Sequence, residues 1–347
     1  MSNFEHLEHY IIPSDLLILM LDAYKEIGKT DIYIEKLDDY ASNLEDKTLN
    51  EDTFYLSQLI GLDISDSRMN LLLNKDLNSR NKEEEVLKKI KDTLKLIKID
   101  AKRYSSNPGE LINYLNNIYG KHKFNYSNKS INLIEKKHVY KKSIRMLINE
   151  SFDEYELYNK LNRFEKNFLS IILFLDIINL QPFSDKNDLA SWLFLYYSMH
   201  QNNINVFKYV SFFKIVFNEY NLFMDEIKKA SINYNDGFVQ ASGLSKLIFK
   251  TIIEAFKTLS YEAKQSEYTN KGLKTDNVES SIFKLPEFFT KDDVREANPN
   301  VSDATINRVL NKLKEEGYIM PLGTGRSAKW RKNTENINIP LSKIVGE

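Results

Sequence analysis

Cysteine is absent from all 347 residues. That excludes disulfides, thiol catalysis and zinc sites built on thiolates. A reducing cytoplasm is the expected location. Neither sign of charge is in excess. The formal net charge is −1, so no global field draws the chain to nucleic acid or to a membrane, and any basic surface must be local. No uninterrupted apolar run reaches membrane-spanning length. Met1 to Tyr10 carries acids and histidines and lacks a cationic segment before an apolar core, so no signal peptide is expected. The five histidines, His6, His9, His122, His138 and His200, do not cluster in sequence. No Ser/His/Asp or His-x-x-x-His pattern and no internal repeat is found. What remains is 42% hydrophobic and 28% charged, a globular composition long enough for two or three domains.

The stretch with most information is Gln181-Pro182-Phe183-Ser184-Asp185-Lys186-Asn187-Asp188-Leu189. It lies between two apolar runs, Phe168 to Leu180 and Leu189 to Met199. Pro182 ends the first helix. Asn187 or Asp188 is expected to cap the second. A short polar loop then lies across a helix N-terminus, where free N–H groups and the positive dipole end favour an anion.

This stretch resembles the signature of the Fic family, His-Pro-Phe-x-Asp/Glu-Gly-Asn-Gly-Arg-x-x-Arg. Pro182, Phe183, Asp185 and Asn187 match. Gln181 stands where the family has its catalytic His. Lys186 and Asp188 replace the two glycines, and Leu189 and Trp192 replace the two arginines. The resemblance implies transfer of AMP from ATP to a Ser, Thr or Tyr of a target protein. In it the His takes the target proton, the acid holds Mg²⁺, Gly-Asn-Gly cradles phosphates and the first Arg holds the γ-phosphate.

The residues present argue against that chemistry. An amide such as Gln181 has no proton affinity near neutral pH, and loss of a general base removes ~10²–10⁴-fold in rate. Asp188 repels a phosphate and satisfies the helix dipole itself. Cβ atoms at Lys186 and Asp188 disfavour a close backbone approach. Leu189 supplies no charge. Asp185 and Asn187 are the groups left that could hold a metal; the plainer reading has Asn187 capping a helix and Asp185 pairing with Lys186 or solvent. Phe183 is core under either reading.

Upstream, Pro13 to Lys29 reads as a helix capped by Ser14, with Leu16, Leu17, Met20, Leu21 and Tyr24 on one stripe. Its Ala23 to Gly28 resembles the start of a Fic N-terminal domain. Aligned on Ser57 and Gly61, Ile60 stands where many Fic proteins carry an inhibitory Glu. Ile60 can neither pair with an arginine nor repel a phosphate, so that restraint is expected to be absent. Asn81 to Lys98 reads as a charged helix, Ser105 to Gly109 as a turn, and Gly120 to Asn132 as a loop. Tyr140 to Ile148 and Asp153 to Phe164 read as helices. No substrate-docking hairpin is expected upstream of the motif. His200 is expected to act as a cation at the end of the helix after the motif.

Phe249 to Glu267 reads as a long helix, and the polar stretch Gln265 to Glu279 as a linker. From Ser281 the chain has its own logic. Thr290 caps Lys291 to Ala297, Ser302 caps Asp303 to Glu316, Gly317 stops it, and a hairpin turns at Gly323-Thr324-Gly325. This looks like the winged helix attached to many Fic proteins. Thr305, Arg308, Asn311 and Lys312 on the second helix, with Arg326 and Lys329 on the wing, are the candidate DNA contacts. Glu315 and the acidic Asp292, Asp293 and Glu296 weigh against them.

The expectation is a mainly α protein. Residues 1–100 form a Fic N-terminal region, 101–262 a Fic-like core, 263–280 a linker and 281–335 a small α+β winged helix-turn-helix domain. The expected function is a catalytically degenerate regulator or scaffold whose winged helix binds DNA. The alternative is a divergent protein adenylyltransferase. No cofactor is expected unless the site is active, when ATP and Mg²⁺ are. Partners are DNA, a second copy or another protein, and no membrane.

Overall fold

The structure is a computed structural model. It describes residues 4, 7, 9–38, 40–75, 77–101, 107–135, 138–232, 234, 240–299, 301–323 and 329–333, with backbone alone at 134–135, 138 and 268–274. The architecture is mainly α, in two compact units, Met1–Glu262 and Ala263–Glu347.

The first unit opens with α1 (Ser14–Ile27), α2 (Thr30–Leu37), α3 (Tyr40–Leu59), α4 (Asp66–Asn74), α5 (Lys82–Asp100) and α6 (Pro108–Tyr119). A hairpin of β1 (Ser130–Glu135) and β2 (His138–Ser143) follows, then α7 (Ile144–Leu161), α8 (Lys166–Leu180), α9 (Asn187–Gln201), α10 (Phe212–Asn218), α11 (Tyr220–Ala230) and α12 (Ser242–Lys284). α8 and α9 form the centre. α8 is apolar nearly all round, and Phe168 to Ile177 are all buried. Glu165 starts it by accepting hydrogen bonds from the amides of Asn167 (2.8 Å) and Phe168 (2.5 Å). α9 is buried from Leu189 to His200. On it Trp192 packs among Phe174, Phe212, Phe213 and Phe223 at centroid distances of 5.1–6.5 Å.

A buried polar knot joins α9 to the N-terminal helices. Asp52 on α3 accepts hydrogen bonds from Tyr196 Oη (2.7 Å) and Ser211 Oγ (2.7 Å). The Phe213 amide, at 3.3 Å, adds a third. Lys98 Nζ on α5 lies 3.1 Å from the same carboxylate.

Several local readings are corrected here. α1 begins at Ser14 itself, with Pro13 at the cap position and no side-chain cap. Its stripe divides: Leu16, Met20 and Ala23 are buried, but Leu17, Leu21 and Tyr24 are exposed. Asn107 to Gly109 is the start of α6 and not a turn, because Asn107 accepts from the Glu110 amide at 3.0 Å and Pro108 fits the first turn; residues 105 and 106 lie outside the described residues. Ser130 to Ser143 is the hairpin that was not expected. Strand pairing from Ser130↔Ser143 to Glu135↔His138 takes Tyr140 to Ser143 out of the expected helix. Ser143 then caps α7, which runs unbroken to Leu161 in place of two separate helices.

The expected linker is helical, since α12 continues to Lys284. One glycine, Gly272, among lysines, glutamates and serines does not break a helix. The second unit holds the end of α12, then β3 (Phe288–Thr290), α13 (Lys291–Ala297), α14 (Asp303–Glu315), β4 (Ile319–Pro321) and β5 (Lys329–Lys332). The antiparallel sheet has the order β3-β5-β4. Val278, Ile282, Phe289, Val294, Ile306, Val309, Leu310, Leu313 and Ile319 form its core. Thr290 and Asp293 make a reciprocal capping box on α13, and Ser302 caps α14 as expected. The one element not anticipated is β3, which takes Phe288 into the sheet.

Candidate functional site

The loop between α8 and α9 is held by backbone conformation and one amide. Gln181 ends α8 in the left-handed region (φ 46°, ψ 62°), and its side chain is exposed. Pro182 and Phe183 are buried beneath it. Asn187 does not cap α9. It is the first helical residue, and its side chain turns back on the loop. Its Oδ1 accepts from the Phe183 amide (2.9 Å) and its Nδ2 donates to the Phe183 carbonyl (3.1 Å). Asp188 does not cap either: the cap position is Lys186, left-handed at φ 56°, and no side chain caps the helix. The first-turn amides of α9 therefore lie open at the loop.

Lys186 holds a conformation that costs an L-residue roughly 1–2 kcal/mol and costs glycine nothing. Its ammonium lies 5.5 Å from the Tyr119 ring centroid. Burial, and then the charges of Asp188, Glu83 and Asp185, push the Tyr119 hydroxyl up to about 12. Asp185 is exposed, and its Oδ1 accepts from the Lys186 backbone amide at 2.7 Å.

A second strand of chain straps this loop. The Ser127 amide donates to the Pro182 carbonyl (2.8 Å) and the Ser184 amide to the Asn125 carbonyl (3.0 Å), with Tyr126 bridged to Phe183. The Arg145 guanidinium covers the Tyr126 ring at 4.7 Å. The same strap runs directly into β1, so the hairpin is anchored on the motif loop. Sequence reasoning missed it because lysines and asparagines dilute the signal. The alternation of Ile131 and Leu133 around Asn132 was the trace that could have found it.

The arginine positions are not merely vacated. Leu189 is fully buried, and Trp192 is 5% exposed inside the aromatic cluster. A side chain at either position points into core, with no charge for a triphosphate. Without a general base, without either guanidinium, and with an acid at Asp188, the residues present do not fit ATP and Mg²⁺. Among the described residues no group of three acids or histidines could hold a metal ion. Nor is any helix among them long and apolar enough to cross a membrane.

Ile60 and Gly61 follow the end of α3. Gly61 is left-handed at φ 67°, and Ile60 is half-buried. His200 is not a solvated helix-end cation. It is buried, both ring nitrogens lack hydrogen-bond partners, and its pKa lies well below the usual range because of burial and the neighbouring Lys98 and Lys208.

In the second unit the exposed face of α14 carries Arg308, Asn311 and Lys312, with Thr305 half-buried beside Ser302. Two of its cations already have partners on α12. Arg308 donates to Thr275 Oγ1 (3.0 Å), and Lys312 pairs with the buried Glu279 at 2.5 Å. Lys329 is exposed at the start of β5; Arg326 lies outside the described residues.

No family model and no curated protein matches the chain. Solved structures do. A Fic family protein from Desulfovibrio desulfuricans G20 is similar at a TM-score of 0.55 and 13% identity, over 94% of this chain and 98% of that one. A Fic domain containing signaling protein from Bacteroides thetaiotaomicron VPI-5482 is similar at 0.52 and 16%, over 70% of this chain and 97% of that one.

Proposed function

We propose that this chain, which has the Fic fold, is a catalytically silent member of that architecture acting as a regulator or scaffold. Its α-helical body presents the motif loop and hairpin as a binding frame. Its C-terminal module, read as a winged helix, contacts DNA. The observation that carries the first part is at the motif itself. The residue in the place of the base is an amide, and the residues in the place of the guanidiniums are buried in the core. The loop keeps its shape through Asn187 and the left-handed residues at its two ends, while the groups that would handle phosphate are gone.

Incubation of the full chain with labelled ATP, Mg²⁺ and cell extract tests this reading. No transfer of label to protein is expected. Transfer that Asp185→Ala abolishes would sink it in favour of a divergent adenylyltransferase. The retained hairpin and the uncapped start of α9 are the features that favour that second reading.

For the module, DNA contact rests on the exposed Arg308, Asn311, Lys312 and Lys329. The Lys312–Glu279 pair must open, or its lysine must be shared, for a phosphate to be held. A gel shift that weakens with salt and is lost in Arg308→Ala supports DNA binding. No shift at low salt assigns the module to a protein partner.

A further inference from the structure

Helix α1 contains an unbroken apolar run, Leu16-Leu17-Ile18-Leu19-Met20-Leu21. A helix apolar on nearly every side belongs in an interior. The fold covers only one side of it, through Leu16, Met20 and Ala23. Leu17, Ile18 and Leu21 are 48%, 58% and 62% exposed, and Ile11 just ahead is 87% exposed. At 100° per residue Leu17, Ile18 and Leu21 share one side of the helix, with Ser14 at its head and Lys25 at its foot. Leucines held open to water in this way mark a surface that something covers.

We propose that a second copy of this chain covers it, its own α1 lying antiparallel across the first about a two-fold axis between Ile18 and Leu21. Charge selects this occupant and this direction. Asp15 stands in the first turn and Lys25 in the last. An antiparallel pair brings each Asp15 toward the partner's Lys25, satisfying the same contact twice, as a two-fold interface requires. It also opposes the two helix dipoles. A parallel pair would set acid beside acid. Asp15 keeps Lys246 at 2.5 Å, so the cross-pair is a shared contact at the rim. The seam of Leu17, Ile18 and Leu21 supplies the affinity, and Asp15 and Lys25 set the register.

Sedimentation velocity of the full chain tests this, with Leu21→Glu and Ile18→Lys alongside. The wild-type chain is expected to be a dimer. Each variant is expected to raise the dimer dissociation constant at least ~10-fold, with its thermal melt unchanged, since both side chains are exposed in a single copy. A cysteine-free chain also allows a clean proximity test. Mixed Ile18→Cys and Leu21→Cys chains are expected to form a disulfide between the two variants on mild oxidation, and this decides the matter should a charge variant unfold. A monomeric wild-type chain overturns the proposal, as does a dimer indifferent to both charge variants. A monomer in which Leu21→Cys resists maleimide also overturns it, because the chain then covers this face itself.

Discussion

Replacing Asp52 by alanine is the most informative change to the scaffold. The carboxylate is fully buried and holds groups from three directions: Lys98 on α5, Tyr196 on α9, and Ser211 with the Phe213 amide at the start of α10. Removing it leaves an ammonium in the interior without a counter-charge. That typically costs 3–5 kcal/mol, or about 10 °C or more in melting temperature for a unit of this size. The loss also depends on pH. Burial already lowers the Lys98 pKa, with Asp52 acting to raise it. The unfolded chain therefore binds the extra proton between the folded pKa and 10.5, and stability rises with pH across that window. Without Asp52 the window opens at lower pH, so the variant recovers part of its stability under alkaline conditions. Urea melts of wild type, Asp52→Ala and Asp52→Ala/Lys98→Met at neutral and alkaline pH measure this. The double variant is expected to regain much of the loss, since it no longer buries a charge. A loss below about 1 kcal/mol at neutral pH, or one independent of pH, would refute the reasoning.

Three further outcomes are expected. His200 is neutral in the fold and free to charge when unfolded, so stability is lost as pH falls below 6.5, at up to ~1.4 kcal/mol per pH unit; acid melts of His200→Gln should lack that component. Trp192→Arg, which restores a motif arginine, empties an aromatic cluster and buries a charge; a loss of at least ~3–5 kcal/mol is expected from the lost packing, and an unchanged melt would show that the position faces solvent. Lys186→Gly relieves a left-handed residue and is expected to raise stability by up to about 1 kcal/mol, less the backbone entropy of glycine; a clear loss would mean that the Tyr119 contact holds the loop.

The sequence was most legible where one physical signal stood alone. The fully apolar run of α8, the caps at Thr290 and Ser302, and the spacing of Ile306, Val309, Leu310 and Leu313 each survive in the fold unchanged. The motif loop was legible as a loop but not in its workings. Asn187 has the chemistry of a cap, yet tertiary strapping by residues 125–127 makes its better partner the Phe183 backbone. The hairpin was hidden by its polar composition, since pairing between strands is a non-local gain that propensity does not record. Asp52, Lys98 and His200 carry no local mark of burial at all. They lie 46 and 102 residues apart in sequence, and only the packing of α3, α5 and α9 brings them together. The α1 stripe erred for the opposite reason: the run is apolar on more sides than one unit can cover.

The central claim is that the loop before α9 has kept its shape and lost its hold on a nucleotide. Calorimetric titration of the full chain with ATP and Mg²⁺ tests it most directly. The account predicts no saturable heat; saturable binding abolished by Asp185→Ala would contradict it.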